Sequence, residues 1–221
     1  MSRHQQGVSL VELMVGIAVG LFIVATASFA VSNQLNDNRK LALEAQVEQD
    51  LRAAADLIAR DLRRAGYWQN AALQFASSGS ATNRYAAVTA AGQSASYAYS
   101  QDAPGHDNDV LDSNEQSGVK LDSGTLKLLM GDGGWQAITD PAVVTVTGFR
   151  LTMNTHELSL AAYCDAPCPP SGTPATCPPV QQVRELQLQI NGTAASDARV
   201  TRSLNTTVRL RNDRVVGSCG A

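Results

Sequence analysis

The feature that most constrains this chain is an apolar run near its N-terminus. The 24 residues from Val8 to Val31 contain a single charged side chain, Glu12. At about 1.5 Å per residue, a helix of this length extends about 36 Å, enough to cross a hydrocarbon core of about 30 Å. We therefore expect a membrane-spanning helix over 8–31. Glu12 then needs a partner, because a charge deep in a bilayer costs about 2.5–3.5 kcal/mol on insertion scales.

A candidate partner for this carboxylate lies four residues earlier in the chain. Cleavage after Gly7 would make Val8 a new N-terminus, and positions four apart share one face of a helix. Further along the run, Gly16 and Gly20 form a small-xxx-small pair that would let two helices approach closely. A flexible membrane helix is the alternative explanation of that glycine pair.

The first 30 residues resemble the type III leader of type IV prepilins and pseudopilins. The matching parts are a short polar leader with a basic residue, Gly7 before the scissile bond, and a long apolar helix that opens with Val8–Leu13. The resemblance implies that a prepilin peptidase and methyltransferase cuts after Gly7 and methylates Val8. It also implies that Glu12 sets the register between subunits. Val8 stands where most major pilins carry Phe.

The resemblance also implies a location. It places the chain in the bacterial inner membrane as a single-pass protein with a cytoplasmic N-terminus, and later in the pilus, the periplasm and the cell surface. Charge alone does not decide this orientation, because Arg3 precedes the run while Arg39 and Lys40 follow it. A secretory signal is the alternative, since Ala25–Ala27 has the Ala-x-Ala form. However, its apolar region would span about 7–15 residues and carry no acid.

The helical pattern continues beyond the apolar run. Apolar residues step by three or four along one stripe, at Leu43, Val47, Leu51, Ala54, Ile58, Leu62 and Ala65. No proline interrupts this segment, and Gly66 is well placed as a C-terminal stop. The polar stretch Asn33–Lys40 favours a bend or local fraying. The sequence thus predicts one long helix whose second half is amphipathic.

Beyond Tyr67 the pattern changes from helix to strand. We expect a hairpin that turns at Ser123–Gly124, a bulge or break at Gly148, and alternating strands over 186–190 and 204–210. The three later strands, over 144–153, 186–190 and 204–210, predict an antiparallel sheet on the amphipathic half of the helix. The expected fold class is α+β, a type IV pilin fold with a long N-terminal helix on a β-sheet head. The expected division is a leader (1–7), a helix (8–66, with 8–31 in the membrane and 32–66 amphipathic) and a head (67–221).

Two short motifs narrow the resemblance. Arg63–Tyr67 and Val208–Asn212 look like positions typical of the PilW group of minor pilins. This likeness implies a subunit that primes assembly of the type IV pilus at or near the filament tip and supports twitching or adhesion. It also implies partnership with other major and minor pilins through the N-terminal helix. The J-type pseudopilin of type II secretion shares the plan, and a secreted binding module is a third alternative.

The four cysteines all lie in the last third of the chain, at Cys164, Cys168, Cys177 and Cys219. An even number on the oxidising side of a membrane predicts disulfides, and we expect two. Structural zinc sites favour repeated pairs separated by two to four residues, which this spacing does not provide. Three pairings are possible, and the sequence does not choose among them.

Other function classes find little support in the sequence. The net charge of −3 argues against nucleic-acid binding, and the C-terminal arginines lack interleaved aromatic residues. The acids between 102 and 115 fail the spacing of an EF-hand, so we interpret them as a solvated loop. Enzyme motifs such as Gly-x-Ser-x-Gly are absent from the sequence. We therefore expect no catalytic residue, cofactor, metal or small-molecule substrate.

Overall fold

A computed structural model describes residues 9–72, 83–102, 107–168 and 177–219. The chain divides into two units, Met1–Ala45 and Gln46–Ala221. A single α-helix, α1, runs from Leu10 to Leu62 and contributes to both units. Its first part consists of exposed apolar residues and its last part belongs to the folded head.

The last part of α1 buries the predicted apolar stripe. Val47, Leu51, Ala54, Ile58 and Leu62 are each at most 1% exposed, whereas Leu43 is only half-buried. Burying a side chain such as Leu or Ile contributes about 1.5–3 kcal/mol, so this stripe is a main part of the core. The prediction of an amphipathic second half is confirmed.

Two details of the helix differ from expectation. The polar stretch Asn33–Lys40 remains helical, and side-chain contacts from Gln34 to Asn38 and from Lys40 to Glu44 lie along it. The prediction of local fraying is therefore wrong, and the alternative of a bend stays a prediction. The α-helix also ends at Leu62, and the chain then turns through Gly66, which has a φ of +77°.

Within the described residues, the other regular elements are nine strands and three short 3-10 helices, Ser113–Glu115, Gly131–Gly133 and Ala161–Tyr163. The strands are β1 (Val88–Ala91), β2 (Ser94–Ala98), β3 (Gln116–Asp122), β4 (Thr125–Met130), β5 (Trp135–Ala137), β6 (Val144–Ser159), β7 (Val180–Ala194), β8 (Asp197–Arg209) and β9 (Arg214–Val216). All paired strands are antiparallel. One sheet has the order β1-β2-β3-β4-β5, and the other has the order β6-β7-β8 with β9 beside β7. The three later strands of the sequence analysis, now β6, β7 and β8, thus form one antiparallel sheet as predicted, and the predicted hairpin belongs to the other sheet.

The predicted turns occupy the expected positions. Ser123 and Gly124 have φ of 52° and 78° and join β3 to β4, as the two-residue hairpin prediction required. The register of β6 on β7 shifts between Val146 and Gly148, so the irregularity is a bulge within one strand.

One close approach shows how the helix meets the second sheet. A Cβ added at Gly192 in β7 would lie 2.8 Å from Val144 Cγ2 and 3.2 Å from Leu51 Cδ2. Glycine at this position therefore lets the helix side chain rest on the strand. The helix packed on antiparallel sheet confirms the α+β class and the type IV pilin fold.

Candidate functional site

The apolar part of α1 is exposed along its whole described length. The helix is long and apolar enough to cross a membrane by length and composition, and its most apolar stretch is not buried. Large side chains such as Leu10, Phe22 and Phe29 are more than 70% exposed. A surface of this kind needs lipid or another apolar helix around it.

Hydroxyl groups on this part of the helix are satisfied locally. Thr26 Oγ1 donates to the carbonyl oxygens of Phe22 and Ile23, at 3.2 and 2.9 Å. Ser28 Oγ donates to the carbonyl of Val24 at 2.8 Å. Polar groups in lipid must find partners within the protein, and these hydroxyls do so.

Glu12, Gly16 and Gly20 lie along one stripe of the helix. Each step of four residues advances about 400°, so the three positions drift only about 40° at each step. Glu12 lies in the first turn and is exposed. A Cβ added at Gly16 or Gly20 would meet nothing within 4 Å. The stripe therefore combines one carboxylate with two positions where another helix could approach closely. Gly7 and Val8, the predicted cleavage site, lie outside the described residues.

The two motifs that carried the PilW resemblance, Arg63–Tyr67 and Val208–Asn212, contact each other just after the end of α1. Asn212 Nδ2 donates to the carbonyl oxygens of Arg64, at 3.3 Å, and Ala65, at 3.0 Å. Both carbonyls belong to the turn that follows the helix, so this side chain bonds the C-terminal segment of the head to that turn. Arg64 also lies over the Tyr99 ring, with Cζ 4.0 Å from the ring centroid. The sequence identified both motifs but not their contact.

Arg184 also contacts the segment around Asn212, and its burial was not predicted from the sequence. It is 5% exposed, and its guanidinium donates to the carbonyls of Ala86 and Asn212. Burial is the main cause that lowers its pKa, and the charge of Arg214 adds to the effect. Its position in β7 has the same parity as the buried Leu186 and Leu188, which is the signal that could have revealed its burial.

A second polar cluster lies where α1 meets β2. Tyr97 and Tyr99 both donate from their hydroxyls to the Asp61 carboxylate. Burial raises the pKa of both tyrosines, and the Asp61 charge raises that of Tyr97 further. The phenols therefore stay protonated and keep the strand bonded to the helix.

The acidic loop is not the solvated loop that the sequence predicted. Glu115 is fully buried, and its carboxylate accepts hydrogen bonds from the Tyr85 hydroxyl and from the backbone N–H groups of Gln101 and Asp112. Asp109 accepts a bond from Trp68 Nε1 at 2.8 Å. Within the described ranges, no group of three or more His, Cys, Asp or Glu side chains could hold a metal ion. These acids therefore organise the loop.

The four cysteines form two disulfides. Cys164 is bonded to Cys219, 55 residues away in sequence, and Cys168 to Cys177, nine residues away. The first bridge ties the C-terminal segment to the end of β6. The second closes a local loop.

Comparison with known families gives two matches. The chain matches the model described as Prepilin peptidase-dependent protein B over residues 40–210. It matches the Prokaryotic N-terminal methylation motif over residues 2–28, a range that includes Gly7, Val8 and Glu12. Neither a curated protein nor a solved structure gives a significant match. The first match covers most of the head and the second covers the start of the exposed helix, with residues 29–39 outside both.

Proposed function

Because the chain belongs to the family described as Prepilin peptidase-dependent protein B, we propose that it is a PilW-like minor pilin of a type IV pilus. In this proposal it is a structural subunit and not an enzyme. Its exposed apolar helix, with Glu12 as its only acid before Asp37, is the observation that carries the proposal. The match to the methylation motif supports processing by the prepilin peptidase.

We propose that residues 1–7 are a leader, 8–66 the helical anchor and assembly stem, and 67–221 the head. The peptidase cuts between Gly7 and Val8 and methylates the Val8 amine. Before assembly, the chain remains in the inner membrane with its N-terminus in the cytoplasm and its head in the periplasm. The two disulfides support this orientation, because disulfides persist on the oxidising side of the membrane.

Assembly in this proposal depends on charge in a medium of low dielectric. A lone carboxylate in lipid is costly, and so is a lone ammonium. When Glu12 of one subunit meets the Val8 ammonium of its neighbour, each charge gains the partner that reduces this cost. Correct pairing also fixes the axial register of the two helices. Gly16 and Gly20, on the same stripe as Glu12, let the neighbouring helix approach.

We further propose that the subunit acts early in assembly. A PilW-like subunit would join other minor pilins, prime the growth of the filament from major pilins, and remain at or near its tip. In that position it would support twitching and adhesion. The PilW-like pair of motifs, Arg63–Tyr67 and Val208–Asn212, supports this finer assignment, because the two meet at one junction of the head.

The experiment that tests the proposal is Glu12→Ala in the full chain. We expect normal cleavage and folding but loss of the protein from sheared filaments. Asp132→Ala is the matched control, because it removes an exposed acid from the head without affecting the helix. Recovery of the Glu12→Ala protein in filaments at normal levels would show that the register mechanism is wrong.

The J-type pseudopilin of type II secretion is the second candidate. The descriptions of the two matching family models name neither a minor pilin nor a secretion pseudopilin, so they do not separate the two candidates. Deletion of the gene discriminates between them. A minor pilin is needed for surface pili and twitching, and a pseudopilin is needed for release of exported enzymes.

A further inference from the structure

A groove beside the end of β8 is lined by three arginines. Its wall consists of Arg63, from the turn after α1, and of Thr207, Arg209, Leu210 and Arg211. The groove has a volume of about 480 Å³, within the range of about 300–1,000 Å³ that is usual for ligand sites. Among the described residues that line it, none is an aspartate or a glutamate.

Two of these arginines have no acid to neutralise them. Arg63 and Arg211 are both exposed, and neither forms an ion pair within the described part of the chain. Guanidinium groups stay charged at every physiological pH. Both positive charges therefore remain available to a partner.

The third arginine is only weakly neutralised. Arg209 Nη2 lies 3.4 Å from Asp213 Oδ2, an oxygen that also accepts a hydrogen bond from Gln181 at 2.7 Å. Glu185 lies opposite Arg209 on β7 but forms no ion pair with it. The Arg209 side chain remains 61% exposed. Three like charges thus line one groove, and a shared carboxylate is the one acid that contacts any of them among the described residues.

The two PilW-like motifs build this groove together. Arg63 belongs to the first motif, and Arg209 and Arg211 belong to the second. The bond from Asn212 to the Arg64 carbonyl joins the motifs next to the groove. This contact holds the arginines near one another before any partner arrives, so a partner need not order them.

The donor groups of the groove match carboxylates. A guanidinium group presents a planar fork of N–H donors that can bond both oxygens of a carboxylate. The Cα atoms of Arg209 and Arg211 are two residues apart and therefore lie within about 7 Å of each other. Neighbouring acids of an extended peptide have a similar spacing. Such a peptide can therefore place one carboxylate at each arginine.

Nucleic acid matches the groove less well. Sites for single-stranded nucleic acid combine a basic groove with aromatic side chains on which bases stack. No aromatic residue is among the described residues that line this groove. The net charge of the whole chain is −3, which repels a long polyanion. A short acidic segment needs only the local arginines.

We propose that this arginine groove binds an acidic segment on the head of a neighbouring pilin subunit of a different kind. This inference rests on the proposed function, because it names a partner within the filament. The carboxylates of the segment accept hydrogen bonds from Arg63, Arg209 and Arg211, and their charge removes the repulsion among the three guanidinium groups. Complementary charge of this kind selects the correct partner more than it adds affinity.

A second copy of this chain is a poorer partner. A twofold contact through the groove would place arginines against arginines. A head-to-tail contact would continue from copy to copy and make a filament of this chain alone. The proposed position at or near the tip requires a partner of another kind instead.

Site-specific photo-crosslinking identifies the occupant of the groove. A photoreactive residue replaces Thr207 in the full chain, and cells with filaments are irradiated before shearing. We expect a crosslinked acidic peptide from another pilin subunit. The same replacement at Thr152, exposed on the same sheet but outside the groove, should not give this peptide. Crosslinks to nucleic acid, to lipid or to a second copy of this chain would overturn the proposal, and so would filaments that contain the subunit without any crosslink.

Reversal of two charges tests the electrostatic part of the proposal. Arg63→Glu combined with Arg211→Glu leaves Arg209 and its bond to Asp213 in place. We expect at least about tenfold less of this double variant in sheared filaments, because its carboxylates would repel those of the partner. Arg150→Glu is the matched control, because it reverses an exposed arginine of the same sheet outside the groove and should enter normally.

An exchange of charges between the two partners gives the sharpest result. The acids of the crosslinked segment are replaced by arginine, which should restore incorporation of the double variant. If both variant proteins fold and incorporation is not restored, the proposal is wrong. The unfolding temperature of each protein in micelles checks folding. If the double variant does not fold, the crosslink at Thr207 still decides, because all three arginines are present there.

This proposal and the proposed function fail in different ways. If the double variant enters filaments normally while Glu12→Ala does not, the arginine groove has no role in assembly and the register mechanism stands. If Glu12→Ala enters filaments normally, the register mechanism fails whatever the groove binds.

Discussion

Replacing Gly66 by alanine tests how tightly the junction at the end of α1 is packed. Gly66 has a φ of +77°, and a Cβ there would lie 3.2 Å from Arg184 Nη2 and 3.5 Å from Asn212 Cβ. An L-residue in this conformation costs about 1–2 kcal/mol. Displacing the guanidinium also weakens its bond to the Asn212 carbonyl, and a bond from a charged donor contributes about 1.5–3 kcal/mol. We expect Gly66→Ala to lower the free energy of unfolding by about 3 kcal/mol.

Gly92→Ala is the control for the backbone effect alone. Gly92 has a φ of +63°, but a Cβ there would meet nothing within 4 Å. Its replacement should therefore cost only about 1–2 kcal/mol. Urea denaturation of the full chain in micelles, followed by the fluorescence of the buried Trp68, would measure both values. Equal losses at the two positions would refute the claim that Arg184 and Asn212 confine Gly66.

Two further predictions concern pH and the disulfides. Burial, followed by the charge of Asp140, raises the pKa of Asp50, although a hydrogen bond from the Asp140 backbone acts in the opposite direction. Because the pKa is higher in the folded state, ionised Asp50 costs stability above its unfolded pKa. Asp50→Asn should thus raise the unfolding temperature at about pH 7 and leave it unchanged at about pH 2.5, where Asp50 is protonated in both states. A rise in unfolding temperature that persists at about pH 2.5 would contradict this explanation. Loop-closure entropy predicts that replacing Cys164 and Cys219 by serine lowers the free energy of unfolding by about 4 kcal/mol. The same replacement of Cys168 and Cys177 should lower it by about 2.7 kcal/mol, because the loop is shorter. Equal urea midpoints for the two double variants would contradict that ranking.

Local patterns predicted the helix and the turns well. The stripe from Val47 to Leu62 repeats at the helical period, and such a period is visible without knowledge of the partner surface. The turn at Ser123–Gly124 could also be predicted, because a two-residue hairpin turn needs positive φ and glycine adopts it readily. The α+β class follows from these local signals together.

Features that depend on distant partners were not predictable in the same way. The division into two sheets depends on pairings such as that of β2 with β3, whose residues are about 20 positions apart. Burial of Glu115 depends on Tyr85, 30 residues earlier, which no short-range pattern reports. The disulfide pairing likewise depends on the path of the chain between the cysteines.

For the candidate site, the sequence identified the residue types but not all of the contacts. The stripe of Glu12, Gly16 and Gly20 follows from spacing alone, because four-residue steps share a helix face. The junction of Asn212 with Arg64 joins positions 148 residues apart, so only the structure shows it. The burial of Arg184 could have been predicted from the sequence, since its parity within β7 matches that of the core leucines.

The most direct test of the central claim is mass spectrometry of the N-terminal peptide of the exported subunit. A pilin stem assembled through Glu12 requires a free amine at Val8, with which the Glu12 of a neighbouring subunit can pair. We therefore predict a mature chain that begins with N-methylated Val8. A chain that still begins at Met1, or one that begins near Ser28 after a signal-peptidase cut, would contradict the account.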